Sequence, residues 1–195
     1  MYYKITKNAV EHLSKADPKL GDFIKERGEV RREMFADAFE CFVGTIAAQQ
    51  IAGAAAAKIF ARIRDEAGGK ADAQKILALG AERLRACGLS ATKAACVLGV
   101  ADEVARGRLD FEKLARADES ELAKALLKIR GVGNWTVEMM SIFAFGKNDV
   151  FSTKDFGVRK GFSRLHDISE ISEYKKLYSP FGTAASIYMW ELAKD

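Results

Sequence analysis

The sequence predicts an all-α fold, a compact bundle of about ten short helices. Three observations predict it. Apolar residues recur at three- and four-residue spacing along most of the chain. Only two prolines, Pro18 and Pro180, occur in 195 residues. No run alternates apolar and polar residues for long enough to build a strand.

Taken in order, Asp17-Pro18 begins a helix by a side-chain cap and a first-turn proline, and Gly28 can end it. DAFECFVGTIAAQQ (37–50) carries the next helix, and AGAAAAKIFARIRDEAGG (52–69) a third, closed by Gly68-Gly69. DAQKILAL (72–79) and AERLRACG (81–88) read as two shorter helices, and Ser90 caps the helix that follows through residue 107. DFEKLARA (110–117) and DESELAKALLKIR (118–130) continue the pattern, the latter capped by Asp118 or Ser120. The last third holds NWTVEMMSIFAFG (134–146), TKDFGVRKGFSRL (153–165), SEYKKLYS (172–179) and TAASIYMWELAKD (183–195). No low-complexity segment or long linker divides the chain. The expectation is one domain over 1–195, with a central lobe at 35–130 and a second lobe built from 1–34 and 131–195.

Composition narrows the function class. The chain is 49% hydrophobic and 30% charged, ordinary for a folded domain. No apolar run approaches the roughly 18 residues of a membrane span, so no membrane partner is expected. MYYKITKNAV lacks the apolar core of a secretory signal. That predicts a cytoplasmic, nucleoid-associated protein, or a nuclear one in a eukaryote. Cys41, Cys87 and Cys96 are scattered among apolar neighbours and match no zinc or iron–sulfur spacing, so they read as buried free thiols. His12 and His166 stand apart from any ligand cluster.

The net charge of +4 is mild, but its distribution is uneven. Residues 125–165 hold seven cations (Lys128, Arg130, Lys147, Lys154, Arg159, Lys160, Arg164) against three anions (Glu138, Asp149, Asp155), and the rest of the chain sums to zero. A local basic patch suits a polyanionic partner and equally suits an ordinary solvated face.

Within that segment, LLKIRGVGNWTVEMM (126–140) reverses direction between two helices in about four residues. Gly131 and Gly133 permit the positive φ such a turn needs and leave amides uncovered at the N-terminus of the next helix, where an anion binds well. Val132 between them can anchor the turn inward. The same residues also suit a plain glycine-rich helix connection.

IRGVGNWTV resembles the hairpin of the helix-hairpin-helix (HhH-GPD) DNA glycosylases, commonly Leu-Pro-Gly-(Val/Ile)-Gly, with Arg130 standing where proline is common. The resemblance implies that Gly131, Val132, Gly133 and Thr136 bind the backbone of double-stranded DNA. It also implies a monovalent cation, Na+ or K+, on the carbonyls of Leu127, Ile129 and Val132. Two further stretches extend it. IAAQQIAGAAAAKIFARI is similar to the family's Ile-x-x-Gln-Gln-Ile-Ser-x-x-Ala-Ala, with Ala52 where serine is frequent; by position Gln50 fills the gap left by a flipped base and Gln49 supports it. CGLSATKAACVLGVADEVARGRLD resembles Gly-Leu-Ser-x-x-Lys…Ala…Gly-x-Leu. Helix capping and packing would also account for either stretch alone. The likeness covers roughly residues 10–195.

A catalytic acid is expected downstream. Ser152-x-x-Asp155 has the form of a capping box, in which Asp155 would serve only the helix start. A first-turn carboxylate also stays ionised beside the helix dipole and could face a positively charged sugar. VFSTKDFGVRKGF resembles the family segment Val-Phe-x-x-x-Asp-x-x-(Val/Ile)-x-(Arg/Lys), matching at Val150, Phe151, Asp155, Val158 and Lys160, and so puts the catalytic role on Asp155. Members that also cut the backbone use a Schiff-base lysine, where this chain has Trp135. Iron–sulfur members carry four cysteines after the aspartate, and this chain has none there. The implied enzyme is a monofunctional hydrolase of base excision repair that requires no cofactor, carries no iron–sulfur cluster and acts as a monomer.

SPFGTAASIYMWELAKD resembles the C-terminal helix of the alkylated-base, 3-methyladenine glycosylase II-like branch. N-alkylated purines are cationic, and electron-rich rings attract them. By position Trp135, Met139 and Trp190 would bind the base, although tryptophans are also common core residues. The expected substrate is an alkylated purine of the 3-methyladenine or 7-methylguanine type. The alternatives are a glycosylase for uracil, hypoxanthine or a mismatched base, and a non-catalytic binder of damaged DNA.

Overall fold

The computed structural model describes residues 1–194. Among these residues the fold is all-α: twelve α-helices, one 3-10 turn and a two-residue antiparallel strand pair, β1 (Tyr2–Tyr3) with β2 (Arg32–Glu33). The helices are α1 (Lys7–Ala16), α2 (Pro18–Arg27), α3 (Ala38–Ala48), α4 (Gly53–Glu66), α5 (Ala73–Ala86), α6 (Ala91–Ala105), α7 (Phe111–Arg116), α8 (Glu119–Leu127), α9 (Asn134–Phe143), α10 (Phe156–Phe162), α11 (Ile171–Tyr178) and α12 (Gly182–Leu192).

Several boundaries differ from expectation for local reasons. Helix α1 has no counterpart among the expected helices; Thr6 caps it by accepting the Ala9 amide at 3.2 Å. The two short helices expected at 72–79 and 81–88 are both present within α5, separated by a kink where Gly80 takes the non-helical φ 69° and ψ 178°. Asp118, not Ser120, caps α8. The helix expected at 153–165 is only Phe156–Phe162, and the last helix stops at Leu192; Asp195, included in the expected 183–195 helix, lies outside the described residues.

The chain divides into two compact units. The central unit is Phe35–Met140 and the outer one is Met1–Met34 with Ser141–Asp195. The hairpin glycines therefore group with the central unit, whereas the expected second lobe of 1–34 and 131–195 includes them. A physical reason is visible: the Gly131 carbonyl and the Thr136 hydroxyl both take the side-chain amide of Gln49, at 3.0 and 2.9 Å.

The central unit buries Phe42, Ile46, Ile63, Ile76, Leu84, Val97, Val100, Leu122 and Leu126. The outer unit has its own core, with Leu13, Leu20, Phe151, Val158, Phe162, Tyr178, Ile187 and Met189 among its members. Inside that core the Asp17 carboxylate accepts the Tyr178 hydroxyl at 2.6 Å and lies 2.8 Å from the His166 ring nitrogen. It caps α2 as well, through the Leu20 amide. A buried carboxylate is tolerable with this many donors. Helices α10 and α12 pack so closely that a Cβ on Gly161 would fall 1.9 Å from the Met189 carbonyl oxygen.

Candidate active site

In the outer unit, residues 147–152 are laid along the first turns of α12 by hydroxyl groups. The Thr183 hydroxyl donates to the Lys147 carbonyl at 2.7 Å and accepts the Val150 amide at 3.1 Å. One turn on, the Ser186 hydroxyl donates to the Val150 carbonyl at 2.8 Å and accepts the Ser152 amide. Asp149 binds the Gly182 amide at 3.0 Å and the Ser179 hydroxyl at 2.5 Å, and so serves the start of α12. Thr183 and Ser186 are fully buried. They replace the missing ladder of an extended segment that no strand pairs. Sequence reasoning missed both, because a serine or threonine three residues along a helix looks like packing.

This support delivers Asp155. The expected capping box is not formed with Ser152 as the cap: Asp155 itself occupies the N-cap of α10, and its Oδ1 accepts the Val158 amide at 2.8 Å. Ser152 contributes its carbonyl, which takes the Asp155 amide at 3.0 Å. The same Oδ1 accepts the Trp190 indole N–H at 2.8 Å. A Cβ on Gly157 would lie 2.7 Å from the indole Cδ1, so the first turn of α10 admits the indole only because residue 157 is glycine.

Trp190 is half-buried and stacks on Phe143, with ring centroids 5.5 Å apart and planes 23° from parallel. The Arg32 guanidinium lies over both rings, 4.9 Å from the Trp190 centroid and 5.8 Å from that of Phe143. Burial pulls the Arg32 pKa down, while the carboxylates of Glu191 and Asp155 oppose that shift. Arg32 and Phe143 carry no motif signal and were not anticipated. Glu191 is only 5% exposed and bonds Arg27 and Lys194 at 2.7 and 2.6 Å.

In the central unit the predicted DNA-binding residues come together. Gln49 bridges the α3–α4 turn to the hairpin through Gly131 and Thr136. Gln50 is exposed with φ 57°, the one non-glycine residue with positive φ among the described residues. A non-glycine side chain in that region costs backbone energy, which the surrounding turn must offset. Lys93, from the Gly-Leu-Ser-x-x-Lys stretch, donates to the carbonyls of Ala47 and Gln49 at 3.0 and 2.7 Å and so holds the turn from below. Burial lowers the Lys93 pKa.

The hairpin departs from expectation in two ways. Only Gly131 takes a positive φ, 94°; Gly133 does not. The Val132 amide is spent on the Ile129 carbonyl at 3.0 Å, while Val132 itself turns inward as expected. The amides of Gly131 and Gly133 lie on exposed residues flanked by exposed Lys128 and Arg130. Thr136, expected to bind DNA, is 1% exposed, and its hydroxyl accepts the Gln49 side-chain amide instead of facing solvent. Met139 is buried and Trp135 half-buried, four residues apart on α9. Among the described residues no group of three or more His, Cys, Asp or Glu side chains could hold a metal, and no helix is long and apolar enough to cross a membrane.

Comparison with known proteins converges on this architecture. Residues 43–182 match the HhH-GPD superfamily of base excision DNA repair proteins. The chain belongs to that superfamily. This HhH-GPD chain is 31% identical over 195 residues to DNA-3-methyladenine glycosylase 1 of Schizosaccharomyces pombe, covering 94% of the chain and 86% of the relative. Its structure superposes on that of the S. pombe 3-methyladenine DNA glycosylase Mag1 in complex with abasic DNA, with a TM-score of 0.89, 29% identity and coverage of 97% and 98%. A Bacillus halodurans DNA-3-methyladenine glycosidase gives a TM-score of 0.81 at 30% identity, covering 99% of this HhH-GPD chain and 92% of its own. The matched span includes the hairpin, both glutamines and Asp155.

Proposed function

We propose that this HhH-GPD protein is a monofunctional DNA glycosylase that hydrolyses the N-glycosidic bond of alkylated purines in duplex DNA, acting as a monomer in base excision repair. The observation that carries the reading is Asp155: a carboxylate at a helix N-cap, oriented through Oδ1 by one backbone amide and one indole N–H. In the reaction the bond from the base nitrogen to C1′ breaks and the purine leaves with the bonding pair. A purine methylated at N3 or N7 is already cationic, so it departs neutral. The positive charge left on the sugar is stabilised by the Asp155 carboxylate, as carboxylates stabilise an oxocarbenium ion in glycoside hydrolysis. Water supplies hydroxide to C1′, and its second proton leaves to solvent. The products are free base and an abasic site, and no cofactor enters the balance.

Gly131, Gly133 and the cations Lys128 and Arg130 are the proposed phosphate contacts, and Gln50 the residue that fills the emptied stack. The base-binding roles of Trp135, Met139 and Trp190 rest on the resemblance together with the electron-rich character of the two indoles. A hairpin cation on the carbonyls of Leu127, Ile129 and Val132 would add positive charge for a phosphate. The Ile129 oxygen, already accepting the Val132 amide, would offer it a second lone pair.

Single-turnover release of bases from methylated duplex DNA, with the freed bases identified by chromatography, tests the reading. Asp155→Asn is expected to lower the rate about a hundredfold or more while leaving affinity for abasic DNA intact. Wild-type rate in a folded Asp155→Asn protein would overturn the assignment. A panel of uracil, hypoxanthine and mismatch duplexes decides the substrate class.

A further inference from the structure

We propose that Arg32 is a positioning residue for base release: sharing one face of Trp190 with Phe143, its guanidinium holds the indole so that the N–H stays on Asp155. The geometry points to this. Two groups on opposite faces of an indole, each at a contact height of about 3.5 Å, would be about 7 Å apart. Arg32 lies 5.8 Å from the Phe143 centroid, so both occupy the same face. The indole is thus fixed on one face by a cation and a ring, at its N–H edge by Asp155, and at Cδ1 by the glycine backbone of α10.

Arg32 is itself placed by the strand pair, where its partner in register is Tyr3, with a further bond from the Met34 amide to the Met1 carbonyl. The first residues of the chain therefore set the position of a side chain that reaches the catalytic carboxylate through a tryptophan. The charged groups facing Arg32 are Asp155 at the start of α10 and Glu191 on α12, the latter paired with Arg27 of α2 and with Lys194.

The inference rests on the glycosylase reading for its kinetic test, and a second measurement stands apart from that reading. In Trp135→Phe protein, Trp190 is the remaining tryptophan, and its fluorescence anisotropy reports how firmly the indole is held. Arg32→Met, which keeps bulk without charge, is expected to lower that anisotropy, and Arg32→Lys to restore it. In single-turnover release, Arg32→Met should slow the reaction about five- to tenfold. Abasic-DNA affinity should change less than about twofold, and Arg32→Lys should recover most of the rate. An unchanged anisotropy, a lysine variant no better than methionine, or a loss confined to DNA affinity would each overturn the proposal. Arg32→Gln repeats the test if Arg32→Met does not fold. Absence of base release by the wild type would sink the substrate reading alone, because the fluorescence anisotropy would still decide the role of Arg32.

Discussion

Asp155 gives one oxygen to two donors, the Val158 amide and the Trp190 indole N–H. Hydrogen bonds to a charged acceptor contribute on the order of 1.5–3 kcal/mol. Trp190→Phe keeps the stack on Phe143 and removes the donor, so base release should fall about tenfold or more with little change in thermal stability; single-turnover rates beside a melting curve check it. Glu191 offers a pH prediction. Burial pushes its carboxyl up, but the bonds from Lys194 and Arg27 outweigh burial and hold it below the usual value of 4.5. A depressed folded-state pKa means stability that is present above the unfolded value and lost as pH falls through the folded one. Urea midpoints should therefore decline below about pH 4.5, and Glu191→Gln should flatten that decline. At this scale the acid was legible, because a Val-Phe…Asp…Val pattern is a string of adjacent letters. Arg32 was not, because a two-residue strand leaves no periodic trace.

Helix α12 acts as a scaffold through residues that look inert in sequence. Thr183 and Ser186, both fully buried, satisfy the backbone of residues 147–152. Ser186→Ala would strand the Val150 carbonyl and the Ser152 amide in the core, at a cost of about 2 kcal/mol. Chemical denaturation should show that loss, and base release should weaken with it because Asp155 lies three residues beyond Ser152. Gly161→Ala is the harsher change. Its Cβ would stand 1.9 Å from the Met189 carbonyl oxygen, so α10 and α12 must separate. We expect at least 3 kcal/mol of destabilisation, on the order of severe overpacking, visible as a lower urea midpoint. Apart from α1, helix positions were readable from three-four spacing and cap residues, with Asp118 and Ser90 acting as caps. The ends of α10 were not, because a carboxylate three residues after a serine reads as the third helical residue when it is in fact the cap.

At the scale of the whole chain, the excess charge lies between residues 125 and 165, and Lys128 and Arg130 flank the hairpin exposed. Affinity for duplex DNA should fall steeply with salt, and neutralising both residues should reduce the log–log slope by up to about two; fluorescence anisotropy over a salt series measures it. A chain with Trp135 in place of a Schiff-base lysine should yield no covalent DNA adduct on borohydride trapping, and the abasic product should remain uncut until treated with alkali. The sequence by itself determined the helical class, the superfamily, the hairpin and the paired glutamines, and it singled out Asp155 as the candidate acid, because each is written in short-range spacing of residue types. Only the tertiary structure decided that Gln49 ties the α3–α4 turn to the hairpin across 82 residues, and that Arg32 and Phe143 reach Trp190. Those contacts join residues far apart in the chain, and their energy depends on distance and burial, which a string of letters does not encode.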